Sequence, residues 1–537
     1  MAVACAALSA ALFVYQPWRS LPFQIVDFSE FLPALIGGGS VRERLGAFTE
    51  YYAQRGRFNP IQHALTVLYW SVFGWNAAGW QILRFCWMFG LAAGVFFLLR
   101  RLVSGLAGPF AGASLFLFSS ATVDHWLAPH LAEPVGFVFI LGATWLAASY
   151  SDSARWHTRA VAIACLLGLA MLTKEMLAAT IPFVLAVGCC WHHGAPRAPR
   201  LGRRELALVG AVALASAAAA VPIVLTYLRT PADGYAQVYG DAGPDTARVA
   251  AWARVMLLPS RVAWMSLAKA LLYPANTCFL AVLLAGTTFL ARGPASRRRA
   301  GTVLSLVAVS LPVAGVVAYL PWPNVFDYYG FPFLLGPALL VAGALAVIDG
   351  SASVPVRWAS YGACAAIVLF TGVSAHRQAR ERAARRLVDD AAARALSEYA
   401  SRGTVLVGLN YPLPPHQRWQ GFAETLGRYS RLIGASPPPA MMDVACADAA
   451  PIARRMPADT VVLVYAGSCA EFPRQVPKPV RSVRRMYDYY SWKTFRRVRD
   501  SVRADFWDAI GSRAEPARLV PTGATSARGR AGEGRSE

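Results

Sequence analysis

Residues 205–228 read ELALVGAVALASAAAAVPIVLTYL, and no further charge follows Glu205 until Arg229. A bilayer core about 30 Å thick is crossed by about 20 apolar residues in a helix. A soluble helix would show a polar face at the same period, and this stretch shows none. It is a membrane span, and it sets the fold class. Comparable stretches lie near 2–18, 80–99, 105–123, 133–150, 160–173, 176–191, 268–291, 301–320, 329–348 and 357–375. With 205–228 they make eleven expected spans. The segment 2–18 has no basic residue before it, so it reads either as a first span or as a cleaved signal ending near Ala-Leu-Ser-Ala.

Composition agrees. Of 537 residues, 56% are hydrophobic and 15% charged, against about 45–50% and about 25% in soluble domains. Mean hydropathy is +0.40. One soluble core of this length is excluded, because cores stop growing near ~250–300 residues. The net charge is +22, from 48 Arg and 4 Lys against 30 acidic residues. Such a balance can point to nucleic acid. Here much of it lies in short loops beside apolar runs: Arg100 and Arg101, Arg155 and Arg159, Arg197 to Arg204, Arg292 to Arg299, and Arg357. All fall on one side of an eleven-span layout. The positive-inside rule puts that side and the N-terminus in the cytoplasm. An odd span count then puts the C-terminal region outside.

Three regions follow: a membrane region 1–375, a small α/β region 376–518, and a polar tail 519–537 expected to be disordered. The α/β reading rests on the runs GTVLVGLNY (403–411) and DTVVLVYAGSC (459–469), with helical or loop segments around them. Residues 41–58 and 245–266 mix aromatic residues, Leu and Arg at helical spacing, which suits helices lying in the membrane interface. Seven of nine cysteines sit in apolar runs. Cys446 and Cys469 do not, and in an oxidising compartment they are expected to pair.

Charges at a membrane edge are costly and therefore functional candidates. On the outer side stand Asp27 and Glu30, then Asp124, His125, His130 and Glu133, then Lys174 and Glu175. Arg254, Arg261 and Lys269 follow in the second long loop, and Asp327, Tyr328 and Tyr329 in the last. His125 and His130 lack a zinc-ligand spacing. A divalent metal is possible but not indicated, and no other cofactor is expected. Carboxylates and cations at one face suit chemistry on an anionic, lipid-linked substrate: bases for a hydroxyl, cations for a phosphate.

The order of these features resembles the GT-C fold glycosyltransferases that use polyprenyl-phosphate sugars, in particular the dolichyl-phosphate-mannose–protein mannosyltransferases and the lipid A aminoarabinose transferases. The matching residues are Asp27, the segment Asn59-Pro60-Ile61-Gln62-His63-Ala64-Leu65, Val72-Phe73-Gly74, Arg84, Glu133, Leu172-Thr173-Lys174, and Tyr328-Tyr329-Gly330-Phe331-Pro332. They cover about residues 1–350. This chain departs from the pattern in having Asp27 and Glu30 three apart, Asn-Pro-Ile in place of His-Pro-Pro, and Asp327 in place of an Arg. The resemblance implies a glycosyltransferase at the outer face of the cytoplasmic membrane, with a lipid, glycan or protein acceptor and no nucleic acid. It implies Asp27, Glu30 and Glu133 as catalytic candidates, and Lys174, Arg254, Arg261, Tyr328, Tyr329 and His63 as substrate-binding ones. A transporter or flippase of lipid-linked sugars and a non-catalytic scaffold are the competing classes. A transporter would more often carry inverted repeats and mid-membrane charges.

Overall fold

A computed structural model describes residues 10–15, 35, 39–54, 56–74, 76–127, 132–192, 195–197, 202–229, 246–260, 266–320, 327–396, 404–409, 430, 440–445, 461–465, 481–491 and 496–508. Asp27, Glu30, His130, Arg261, Cys446, Cys469 and the tail 519–537 lie outside the described residues.

Seven described helices are long and apolar enough to cross a membrane: 78–102, 156–173, 203–228, 274–292, 295–319, 329–349 and 354–385. Three shorter apolar helices, 107–118, 133–147 and 175–190, stand where three more spans are expected. The first expected span is described only at residues 10–15, which are helical. The chain is a multi-pass helical membrane protein.

The first unit of the chain comprises Met1–Asp390 and Arg484–Val502. Two helices precede its spans. Helix α1 (Val41–Ala53) opens with a capping box, in which Ser40 Oγ accepts from the Glu43 amide and the Glu43 carboxylate accepts from the Ser40 amide. That satisfies two amides which would otherwise lack partners. Helix α2 (Pro60–Phe73) starts on a proline, whose missing N–H costs nothing there, and stops at Gly74 with φ of 47°. Helix α3 (Ala77–Leu102) follows at once.

The next spans are interrupted. Helix α4 (Ala107–Phe118) is separated from α5 (Ser120–Leu127) by Ser119 in an extended conformation. Helix α6 is Glu133–Ala147 and α7 is Trp156–Thr173. The expected span near 176–191 begins as a 3-10 helix (Glu175–Thr180) and continues as α8 (Ile181–Cys190). Pro182 supplies no N–H to the preceding turn, which suits that change of helix type.

Strands β1 (Trp191–His192) and β2 (Ala195–Pro196) pair antiparallel after α8. After α9 (Arg203–Leu228) come α10 (Thr246–Leu257), α11 (Leu267–Leu271), α12 (Pro274–Arg292) and α13 (Ala295–Tyr319). The span expected near 268–291 thus splits at Leu272 and Tyr273. A 3-10 turn (Asp327–Leu334) leads into α14 (Leu335–Asp349). Helix α15 then runs unbroken from Val354 to Leu396, through the composition change near residue 376.

Small residues set the tightest packing. A Cβ on Gly108 would meet the Ala342 carbonyl oxygen at 2.5 Å, and one on Gly112 would meet the Ala338 carbonyl oxygen at 2.7 Å. These residues stand four apart on each helix, so α4 and α14 bring their backbones together along a small-residue seam. Such close approach is what holds helices together where lipid offers no hydrophobic drive. The core at this seam and around it includes Phe116, Phe137, Phe331, Phe333 and Leu339.

The second unit comprises Ala391–Val483 and Arg503–Glu537. Its central strand β3 (Thr404–Leu409) pairs in parallel with β4 (Ala440–Ala445) and β5 (Val461–Tyr465). Strand β5 pairs antiparallel with residues 504–508. Strands β3 and β5 fall in the two runs read as strands from the sequence. Strand β4 falls in neither run, nor do β6 (Arg481–Ser491) and β7 (Arg496–Asp508), whose residues 484–502 belong to the first unit and whose several charges hide a strand's alternation.

Candidate functional site

The turn between α7 and the 3-10 helix organises the site. Lys174 closes α7 with an extended backbone, φ −156° and ψ 117°. Side chains at and after an extended residue point to opposite sides. Lys174 and Glu175 therefore serve different neighbours.

Lys174 turns to Glu133 at the start of α6, with Nζ 3.2 Å from Oε1. The Glu133 side chain is 1% exposed and that of Lys174 12%. Arg84, in the first third of α3, is also buried and lies within electrostatic reach of Glu133. His125 on α5 is fully buried, reaches Glu133 electrostatically, and packs its ring 4.2 Å from that of Phe331. Two permanent cations thus meet one carboxylate among the described residues here. Buried charges need such partners, since desolvation of an unpaired one is prohibitive.

Glu175 turns to α2. Asn59, its amide oriented by the surrounding donors and acceptors, donates to Glu175 Oε2 at 2.9 Å and to the Phe58 carbonyl at 3.1 Å. His63, one helical turn on, lies within electrostatic reach of Glu175. Its Nδ1 is 3.3 Å from Thr49 Oγ1. Its ring stacks on Tyr52 at 4.9 Å and meets the edge of Phe48 at 5.0 Å. Nε2 is buried without a hydrogen bond. Burial pushes the imidazole down to about 4, with Glu175 opposing, so His63 is neutral at pH 7.

An apolar cavity of about 810 Å³ runs between α3 and α6, lined by Leu83, Trp87, Gly90, Phe97, Leu141 and Trp145 among others. Gly90, Gly94 and Gly142 leave room for it. A separate small pocket of about 10 Å³ shares Tyr69, Leu83 and Trp87 with it and includes Arg84 in its lining. Trp87 Nε1 donates to the Tyr69 hydroxyl there, 3.0 Å away. Arg84 therefore lies beside the apolar cavity, behind Tyr69, Leu83 and Trp87.

The remaining expected residues lie elsewhere or outside the description. Arg254 is on α10, its Nε buried and without a hydrogen bond. Tyr329 is buried, its ring 4.8 Å from Tyr319 and 6.0 Å from Trp252. Gly330 beside it lets the turn approach α10, since a Cβ there would come 2.8 Å from the Val255 carbonyl oxygen. The Tyr328 side chain, Asp27, Glu30 and Arg261 lie outside the described residues. Among the described residues no cluster of His, Cys, Asp and Glu fits a metal ion.

Sequence reasoning named Asp124 and His125 among the membrane-edge candidates without a specific role, left Asn59 and Arg84 only as matches in the resemblance, and did not single out Arg382. Arg84 carried a signal of its own, a charge inside an apolar run. Asp124 is held by Arg382 of α15 through two contacts, Nη1 to Oδ1 at 2.6 Å and Nη2 to Oδ2 at 2.8 Å. Nothing in the arginine-rich stretch around Arg382 distinguished it.

Fold and site define a multi-pass helical membrane protein with a buried charge cluster near an apolar cavity. No protein-family model matches the chain, and no curated protein does. The chain is similar to the crystal structure of ArnT from Cupriavidus metallidurans bound to undecaprenyl phosphate, at 12% identity over 93% of this chain and 97% of that one, with a TM-score of 0.44. It is similar to the Archaeoglobus fulgidus oligosaccharyltransferase at 12% identity over 82% and 62%, TM-score 0.43. It is similar to the mycobacterial arabinofuranosyltransferase AftD at 14% identity over 95% and 41%, TM-score 0.44. All three are glycosyltransferases of the GT-C fold. The residues of this chain, not these likenesses, carry the functional reading.

Proposed function

We propose that this chain is a membrane glycosyltransferase that moves a sugar from a polyprenyl-phosphate donor to a hydroxyl acceptor at the outer face of the cytoplasmic membrane. The observation that carries the reading is the apolar cavity beside Arg84, which lies within electrostatic reach of the Glu133–Lys174 pair. A lipid tail fills the cavity and its phosphate stops at the cations. As the glycosidic bond breaks, negative charge grows on the departing phosphate. Arg84 and Lys174 stabilise that charge in a site of low dielectric, where fixed charges act most strongly. Glu133 holds Lys174 in place and keeps the resting site near neutrality.

The acceptor hydroxyl loses its proton to a carboxylate. Asp27 is assigned that role, with Glu30 second; general-base help of this kind contributes roughly 10²–10⁴-fold. Arg254, Arg261, Tyr328 and Tyr329 are assigned to substrate binding. In this reading the C-terminal region 376–518 is extracytoplasmic.

The reading is tested by analysing lipids and glycans of a strain lacking this protein. A polyprenyl-phosphate sugar should accumulate while one glycan loses that sugar. Asp27→Asn should reproduce the defect at normal protein level. Unchanged lipids would remove the proposal.

A further inference from the structure

We propose that Arg159 and Arg204 bind the headgroup of an anionic phospholipid on the arginine-rich side of the membrane. The inference is independent of the glycosyltransferase reading. Helices α7 and α9 start at Trp156 and Arg203 and run side by side in the same direction. At their starts, the Arg204 guanidinium lies 6.0 Å from the centre of the Trp156 ring. Twelve residues after each start, a Cβ on Gly168 would lie 3.8 Å from the Ala215 carbonyl oxygen. The two starts are therefore level with each other.

One short turn holds both arginines. Arg159 Nη1 donates to the Ser149 carbonyl at 2.5 Å and to Ser149 Oγ at 2.7 Å. Arg204 Nη1 donates to the Ser151 carbonyl at 3.0 Å. Between them, the Tyr150 hydroxyl donates to the Arg204 carbonyl at 2.6 Å and pins the start of α9. Two residues of chain span about 7 Å at most, so both guanidiniums are anchored within reach of one headgroup. Trp156 stands three residues before Arg159 on the same edge of α7, and Arg204 packs over it.

These contacts orient the two cations without cancelling their charge, because the anchoring oxygens are neutral. The carboxylates of the same loops are engaged elsewhere. Asp152 meets His192 Nδ1. Glu205 Oε2 accepts from the Gly202 amide at 3.1 Å, and its Oε1 faces Arg197 at 3.7 Å. Among the described residues, neither Arg159 nor Arg204 pairs with a carboxylate, whereas Lys174 and Arg382 each do. A guanidinium has five N–H donors. Arg159 uses two of them here and Arg204 one, so at least three remain on each. Oriented guanidiniums with spare donors match the oxygens of a phosphate.

The apolar surface beside them makes the ligand a lipid. Just beyond the first turn, Val161 of α7 and Leu206 and Val209 of α9 are exposed. Acyl chains cover these side chains while the phosphate stays at the arginines. Basic residues at the end of a span attract anionic lipids in this way, and a Trp at that depth suits the interface.

The test titrates purified full-length protein in nonionic detergent with phosphatidylglycerol, phosphatidylcholine or inorganic phosphate. Binding is read by native mass spectrometry and by melting temperature. Phosphatidylglycerol should bind wild type and raise its melting temperature; phosphatidylcholine and inorganic phosphate should do neither. Arg159→Gln with Arg204→Gln should weaken phosphatidylglycerol about thirtyfold. Arg159→Lys with Arg204→Lys keeps the charges but not the fork geometry, and should fall between the two. Arg297→Gln with Arg298→Gln, on another arginine-rich segment, should stay within twofold of wild type. Should the glutamine pair fail to fold, each single glutamine variant should lose about fivefold. Undiminished affinity in the glutamine variants overturns the assignment. So does an equal loss in the Arg297 and Arg298 variant, which marks a general effect of charge. Equal binding of phosphatidylcholine, or an equal response to inorganic phosphate, overturns it as well.

Discussion

Lys174 Nζ stands 3.2 Å from Glu133 Oε1 and joins the end of α7 to the start of α6 across a buried contact. The pair does two things at once. It neutralises a carboxylate that is 1% exposed, and it fixes the direction of the Lys174 side chain. Removing one partner of a buried pair strands the other.

Lys174→Met is therefore expected to lower stability as well as turnover. Breaking a buried pair costs about 3–5 kcal/mol, largely from the unpaired charge left behind. The double variant Lys174→Met with Glu133→Leu should recover most of the stability and none of the activity. Thermal unfolding in detergent, read beside sugar transfer, separates the two effects. Recovery of activity in the double variant would remove Lys174 from the phosphate site.

Arg382 and Asp124 make a second link, from the extension of α15 to α5. Arg382 is 37% exposed, so solvent screens the pair and the loss from Arg382→Ala should be modest, about 1–2 kcal/mol. Asp124 neighbours His125, whose ring faces Phe331. The charge swap Asp124→Arg with Arg382→Asp should restore part of the melting temperature lost by either single change. No recovery would mean the contact contributes nothing measurable.

His63 gives a pH dependence with a definite sign. Its folded value, about 4, lies below the ordinary histidine value near 6.5. Between those values the unfolded chain binds the proton and the folded chain does not. The contribution of His63 to stability is therefore intact above about 6.5 and declines as pH falls toward 4. Wild type should lose more melting temperature than His63→Gln between pH 7 and pH 4.5. Parallel curves would show that His63 does not titrate in this range.

Gly112 tests the seam between α4 and α14. Its absent Cβ would lie 2.6 Å from Leu99 Cδ1 and 2.7 Å from the Ala338 carbonyl oxygen. Gly112→Leu forces the helices apart and should abolish detergent-stable, monodisperse protein, because backbone atoms cannot yield as a flexible side chain can. Gly90→Ala, where nothing lies within 4 Å, is the control and should behave as wild type. Normal chromatographic behaviour of Gly112→Leu would refute the seam.

The sequence by itself determined that this is a helical membrane protein, and roughly where its spans lie. Uncharged runs such as 206–228 admit few other folds in lipid, because every backbone polar group must be satisfied within the segment. It also singled out Lys174, the one lysine before residue 269, and Glu133. It did not pair them. They are 41 positions apart, and only the packing of α7 on α6 brings them together. The break in the 105–123 span at Ser119 and the 3-10 start of the 176–191 span were likewise set by tertiary packing, since hydropathy averages over single residues. The opposed directions of Lys174 and Glu175 depend on one extended backbone residue between two helices. The partnership of Asp124 with Arg382 spans 258 positions. Local pattern carries no information about contacts at that separation; which charge meets which is decided when the helices pack.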